Sequence, residues 1–275
     1  MGDARRWLIS SAAIAFASSP RLRARPHRAY GALRRIDPVH RSPIGFWILS
    51  SHQDVTALLR HPDVGNDESK ADLSAIRLGP LSLLARSSGG HPVPDQSDQP
   101  STRMMTRLML FRDPPDHTRL RSLVNKAFTP RAIAALEERI TRIAHRQLDA
   151  VAGAGRMDFL ADFAYPLPAL VICELMGVPA SDHTLIARHA PALAARLDPS
   201  PLRSAAVIAA ADRATEELAR YLDDVISARR RDPGDDILSR LLEAGEDGDR
   251  LSHEELVAMA VLLLIAGHET TANLL

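Results

Sequence analysis

Lysine, cysteine and aromatic residues are scarce in this sequence. Lysine occurs only at positions 70 and 126, which leaves few amines for Schiff-base chemistry. The one cysteine, Cys173, excludes an internal disulfide, and no cluster of cysteine and histidine has the spacing of a zinc site. These absences favour a reducing, cytoplasmic location.

Net charge is absent as well. The 34 basic residues balance the 34 acidic ones, so no uniform field attracts the chain to nucleic acid or to an anionic membrane surface. An apolar stretch follows Arg5 and Arg6 with a faint likeness to a twin-arginine export signal, but serines interrupt it and it is too short to cross a bilayer. We therefore expect no nucleic acid and no membrane partner, an N-terminal arm over residues 1–25, and a single domain over residues 26–275.

What the chain does contain is a series of helical patterns. Apolar residues at helical spacing, bounded by proline, glycine and capping residues, predict helices over about 26–36, 52–60, 113–128, 129 to beyond 148, 160–176, 182–196, 202–231, 236–244 and 252–275. A strand is predicted over 45–50. Residues 87–103, rich in glycine, proline, serine and aspartate, predict a long exposed loop that is either a lid or disordered. The predicted fold class is therefore mainly α with a small β region near the N-terminus.

The last predicted helix carries the most informative pattern. An apolar run from Leu256 to Ala266 is followed by Gly267 and by polar residues at 268–271. A helix this apolar is buried, and a buried hydroxyl or carboxyl without a partner costs roughly 2–7 kcal/mol, so these groups need partners, water or a ligand. Because glycine has no side chain, another group can lie close to the helix backbone at Gly267, and a flat cofactor would be such a group. The threonines could instead bond the carbonyl one turn back and bend the helix.

Two segments carry a family resemblance. Residues 266–271, AGHETT, resemble the oxygen-activating segment of the cytochrome P450 family. Residues 111–121, FRDPPDHTRLR, with FTPR at 128–131, resemble the segment with which that family binds the haem propionates. His117 and Arg121, four residues apart, share a helix face on which both can donate to carboxylates, although an isolated pair of this kind is more often an ordinary surface pair.

The resemblance implies a haem-dependent monooxygenase that oxidises a small organic substrate with dioxygen. Glu269 and Thr270 would then be the catalytic residues, because an acid followed by an alcohol can relay protons into a dry pocket. The cofactor would be haem b, and the electron donor a ferredoxin or a similar protein. The resemblance implies these cofactor-binding residues: His117, Arg121, Ala266, Gly267 and Thr271.

The sequence also departs from the family. The glycine-rich loop with the iron-ligating cysteine is absent, and Cys173 lies in an apolar helical context that is typical of a buried core residue. Glu217 and Arg220 spell the family's Glu-x-x-Arg pattern, but they precede the last helix and are interpreted as an exposed helical ion pair. We therefore expect an N-terminal portion of the fold, truncated inside its central oxygen-activating helix, without a metal ligand and inactive alone.

Two alternatives remain open from the sequence. A zinc hydrolase is suggested by His268-Glu269, but Ala272 stands where the second histidine ligand is needed. A non-catalytic helical binding or regulatory protein, derived from the same fold, would have the same sequence features as those found here.

Overall fold

The computed structural model describes residues 7–11, 19, 21, 24–42, 47–70, 98–197, 205–244 and 249–275. Contacts divide the chain into two compact units, one within residues 1–95 and 200–205 and the other within 96–199 and 206–275. Each unit is described by itself.

The first unit contains a small antiparallel sheet with a short helix before it and another after it. Helix α1 (Pro26–Ile36) ends before Asp37-Pro38, since a residue that precedes proline disfavours the helical region. Strand β1 (Val39–Arg41) pairs with β2 (Trp47–Leu49), and helix α2 (His52–Arg60) follows. Both predicted helices and the predicted strand region are confirmed where the structure describes them.

A buried histidine joins the start of the first unit to its sheet. His40 on β1 is fully buried, with Nδ1 2.9 Å from Asp37 Oδ2 and Nε2 2.9 Å from Ser10 Oγ. Ser10 lies in the helical residues 7–11 and is itself buried. The polar atoms of His40 are thereby satisfied inside the unit, as burial requires.

The second unit is built from helices around one apolar core. Its α helices are α3 (Pro100–Arg107), α4 (Asp116–Ala127), α5 (Pro130–Ala152), α6 (Pro166–Met176), α7 (His183–Leu197), α8 (Ala205–Arg231), α9 (Ile237–Glu243) and α10 (His253–Leu274). Helix α10 packs on α6 and α7, and α5 also packs on α6. By length and composition α10 could cross a membrane, but 56% of its most apolar window is buried in the structure, as in a core helix. The fold is mainly α, as predicted.

Two predicted boundaries are wrong. Residues 100–103 belong to α3, because Pro100 at the first helical turn favours a helix start, whereas residues 87–97 of the predicted loop lie outside the described residues. The predicted helix 160–176 is a π-helical turn (Leu160–Ala164) followed by α6. Pro166 and Pro168 lack N–H groups, which prevents one continuous α helix across this joint.

The end of α6 is held by a partly buried ion pair. Gly177 has φ +66°, and its carbonyl accepts from Arg229 Nη2 at 2.5 Å. Arg229 Nε also donates to Asp236 Oδ2 at 2.5 Å, while Oδ1 of Asp236 caps α9 by accepting from Ser239 N at 2.8 Å. This network ties α6, α8 and α9 together.

Candidate functional site

The start of α10 is set by a capping box, which the sequence predicts from Ser252 followed three residues later by Glu255. Ser252 Oγ accepts from the N–H of Glu255 at 3.1 Å, and Glu255 Oε2 accepts from the N–H of Ser252 at 2.8 Å. Arg119 of α4 also bonds to Glu255, and Arg107 of α3 lies 2.6 Å from Glu254. Partial burial would raise the pKa of Glu255, but the bonds from Ser252 and Arg119 outweigh it and lower the pKa.

Further along, α10 has a buried side and an open side. Residues 256–261 are buried on all sides, as the apolar run predicted. In the polar segment the two sides diverge, because His268 and Ala272 are buried whereas Ala266, Glu269 and Thr270 are exposed. Glu269 and Thr270 follow Ala266 by three and four residues, so all three lie on one helix face. We call Ala266, Glu269 and Thr270 the open face of α10.

Thr270 makes the backbone bond that its residue type predicted. Its Oγ1 donates to the carbonyl of Ala266, one turn earlier. The helix is continuous from His253 to Leu274, so this bond forms without interrupting it. A carbonyl oxygen has two lone pairs and can accept from the hydroxyl as well as from a helical N–H.

Gly267 and His268 instead face the neighbouring helix α6. An ideal Cβ on Gly267 would lie 3.0 Å from Cδ1 of Ile172, so the glycine permits close packing of the two helices. His268 Nε2 lies 3.2 Å from the carbonyl oxygen of Tyr165, the residue before α6. Burial lowers the pKa of His268 and favours the neutral ring. The close approach of Ile172 is thus one that the glycine permits, and its place beside a flat cofactor stays a prediction.

The second predicted group lies on α4. This helix buries Leu120, Leu123, Val124 and Ala127 against the core. Its opposite side forms an open depression lined by His117, Thr118, Arg121, Ser122, Asn125 and Lys126. No acidic residue lines it, and among the described residues the side chains of His117 and Arg121 have no hydrogen-bond or ion-pair partner. These donors therefore fit carboxylates, such as those of haem.

The described residues do not bring the two predicted groups into contact. No hydrogen bond or ion pair within them joins His117 or Arg121 to the open face of α10. Arg119 of α4 forms an ion pair with Glu255 of α10. Glu255 precedes Glu269 by fourteen residues, which is about 21 Å along the helix axis. Thr271, the remaining predicted residue, is exposed on α10.

The described residues offer no iron ligand of the thiolate kind. Cys173 is buried in α6, and burial, aided by the charge of Asp182, raises the pKa of its thiol to about 12. The prediction that Cys173 is a core residue is confirmed. The predicted ion pair on α8 is wrong, because Glu217 Oε2 lies 2.9 Å from His189 Nε2 while Arg220 Nε donates to the carbonyl of Glu216.

The zinc alternative is disfavoured by the same geometry. His268 Nε2 is used by a backbone carbonyl, and position 272 is a buried alanine. Within the described ranges no group of three or more histidine, cysteine, aspartate or glutamate residues could hold a metal ion.

Sequence reasoning missed the residues that place α10. Arg107, Arg119, Tyr165 and Ile172 act through partners far away in the chain, and nothing in their local sequence marks those partners. The nearest signal was Gly267, whose cost inside a helix indicated that something approaches closely.

Comparison with known proteins identifies the family. No protein-family model matches the chain. Over 256 residues it is 40% identical to the vitamin D(3) 25-hydroxylase of Pseudonocardia autotrophica, an alignment that covers 91% of this chain and 56% of the relative. It is 38% identical to cytochrome P450 107B1 of Saccharopolyspora erythraea over 253 residues, covering 90% of this chain and 57% of that protein.

A solved structure agrees with these relatives. The chain superimposes on CYP164A2 of Mycobacterium smegmatis with a TM-score of 0.76 at 35% identity, covering 95% of this chain and 61% of the other. The chain belongs to the cytochrome P450 family. It spans somewhat more than half the length of the relatives that it matches.

Proposed function

We propose that this chain forms part of a haem-thiolate monooxygenase that oxidises an organic substrate with dioxygen. The observation that carries the proposal is the open face of α10, where a carboxyl and a hydroxyl are exposed on a helix that is otherwise a core element. A core helix presents polar side chains on one face when that face borders water or a ligand. The similarity to P450 relatives supports the proposal that this face borders a haem.

The residues of the open face would move protons. The carboxyl of Glu269 would take a proton from solvent and pass it, through water, to the hydroxyl of Thr270. At rest, the hydroxyl of Thr270 donates to the Ala266 carbonyl. To deliver its proton, the hydroxyl would rotate away from that carbonyl toward the open face, and it would then be reprotonated from Glu269. Haem, when bound, would supply the oxidation chemistry.

His117 and Arg121 would hold the haem propionates. Both side chains belong to a depression without acidic lining, so a carboxylate there would face donors alone. Ala266 and Thr271 are exposed on α10 and would border the haem and the substrate. Gly267 faces Ile172, so we propose that it contributes indirectly, by letting α10 lie close to α6.

The remaining assignments follow from the relatives and the composition. We propose a small organic substrate, a ferredoxin or a similar electron donor, haem b as cofactor, and a cytoplasmic location. The name of one relative, a vitamin D(3) 25-hydroxylase, favours a bulky apolar substrate.

One observation favours a second candidate. The described residues hold no exposed cysteine, so on its own this part of the chain would be a helical binding or regulatory protein.

The experiment that separates the two candidates begins with the gene beyond codon 275. The full product is expressed, reduced under carbon monoxide, and scanned for the Soret band of thiolate-ligated haem. In the monooxygenase, His117→Ala with Arg121→Ala should release haem more readily than the control Arg146→Ala, an exposed arginine on α5. A product with no haem signal would favour the binding protein.

A further inference from the structure

We propose that His268 is a positioning residue that fixes the rotation of α10 about its axis, so that Glu269 and Thr270 stay on the open face. The catalytic part of this inference rests on the proposed function. The structural part, that one imidazole sets which side of α10 is open, stands independently of it.

The first support is the placement of the imidazole. His268 is only 4% exposed, and its Nε2 lies 3.2 Å from the carbonyl oxygen of Tyr165. A carbonyl oxygen can only accept, so Nε2 carries the hydrogen and donates. His268 directly precedes Glu269, which is exposed, so a buried anchor and an open acid are adjacent in the chain.

The second support is a contact at the preceding position. Gly267 meets Ile172, which lies on α6, and His268 meets the residue before α6. Successive helical residues point about 100° apart, so the two contacts hold α10 from two directions. Rotation of α10 would drive the backbone at Gly267 into Ile172 or break the bond of His268.

The third support is that the acceptor is itself held. Tyr165 N donates to the carbonyl of Leu160 at 3.0 Å, which closes the π-helical turn. Pro166, the next residue, has a fixed φ and restricts the backbone of Tyr165 before it. The Tyr165 side chain is half exposed, so its backbone serves as the anchor point. A substitution that changes only this side chain should leave the anchor intact, which makes Tyr165→Leu a control.

A matched pair of variants tests the anchor. His268→Gln keeps an N–H donor at a similar reach, whereas His268→Met keeps the length and apolar bulk but cannot donate. On the 275-residue chain, amide hydrogen exchange over residues 267–272 should be about two- to tenfold faster in His268→Met, as expected for one lost hydrogen bond. His268→Gln and Tyr165→Leu should stay within about twofold of the unchanged protein.

In the haem-loaded full product, the same pair tests the catalytic consequence. His268→Met should lower the product formed per oxygen consumed by about two- to tenfold with unchanged haem content, and His268→Gln should restore most of it. If exchange and coupling are the same in the Met and Gln variants, the positioning role is refuted. If exchange differs but the full product binds no haem, the anchor stands and the proposed monooxygenase fails.

Discussion

Gly177 at the end of α6 offers a quantitative test of the packing that holds this helix. Its φ is +66°, a region that costs a residue with a Cβ about 1–2 kcal/mol. An added Cβ would also overlap Asp236 Oδ2 and would lie 2.6 Å from Arg229 Nη2. Both atoms are the ends of flexible side chains in a partly buried ion pair, where a lost charge-assisted hydrogen bond costs about 1.5–3 kcal/mol. With the backbone strain added, Gly177→Ala should destabilise the protein by about 2.5–5 kcal/mol.

Two other glycines separate the cost of backbone strain from the cost of the contact with the ion pair. Gly155 has φ +63° with no atom within 4 Å of an added Cβ, so Gly155→Ala should cost only the backbone strain, about 1 kcal/mol. Gly153 has φ −65° and equally open surroundings, so Gly153→Ala should be neutral or stabilising by about 0.4–1 kcal/mol.

The assay for this series is urea unfolding followed by far-ultraviolet circular dichroism, with the slope of free energy against urea concentration compared among the variants. The reasoning is supported if the loss of unfolding free energy is far larger in Gly177→Ala than in Gly155→Ala, and larger in Gly155→Ala than in Gly153→Ala. A Gly177→Ala cost no larger than that of Gly155→Ala would refute it, because the contact with Asp236 would then carry no energy.

Three further predictions concern α10. In the haem-loaded full product, Thr270→Ala should keep the haem but lower the product formed per oxygen consumed, whereas Thr270→Ser should not; equal coupling in both would contradict the proposed relay. In urea unfolding, Gly267→Ala should cost about 0–2 kcal/mol, because the contact of its Cβ with Ile172 costs about 1–3 kcal/mol and the higher helix propensity of alanine offsets about 1 kcal/mol. Ile172→Val, which removes Cδ1, should recover part of the packing cost in a double-mutant cycle. The pKa of Glu255 is lowered, so its contribution to stability is present above about pH 4.5 and is lost as pH falls through the folded pKa. Glu255→Gln should make the free energy of unfolding depend less on pH over that acidic range. An unchanged pH dependence would argue against the Arg119 bond.

The sequence predicted the elements whose signals are local. The capping box at Ser252 and Glu255, and the helix start after Thr129, depend on residues within one turn, and both are found as expected. The exposed polar segment of α10 was also predictable, because an apolar helix that becomes polar marks the place where its surroundings change.

The remaining features depend on partners that are distant in the chain. Glu217 was expected to pair with Arg220, but the fold places His189 of another helix closer to the carboxylate. Gly267 was expected to permit a close approach, but its sequence context did not show that Ile172 lies against it. Spacing along one helix shows which residues share a face, and it does not show which neighbouring helix meets that face.

The division of α10 into a buried and an open side has a consequence for protein engineering. Random substitution at residues 256–261 would mostly yield chains that do not fold, since every one of these side chains is enclosed. Variants at Ala266 and Asn273, which are exposed, escape that restriction. A library confined to those two positions could therefore be screened with few clones lost to misfolding.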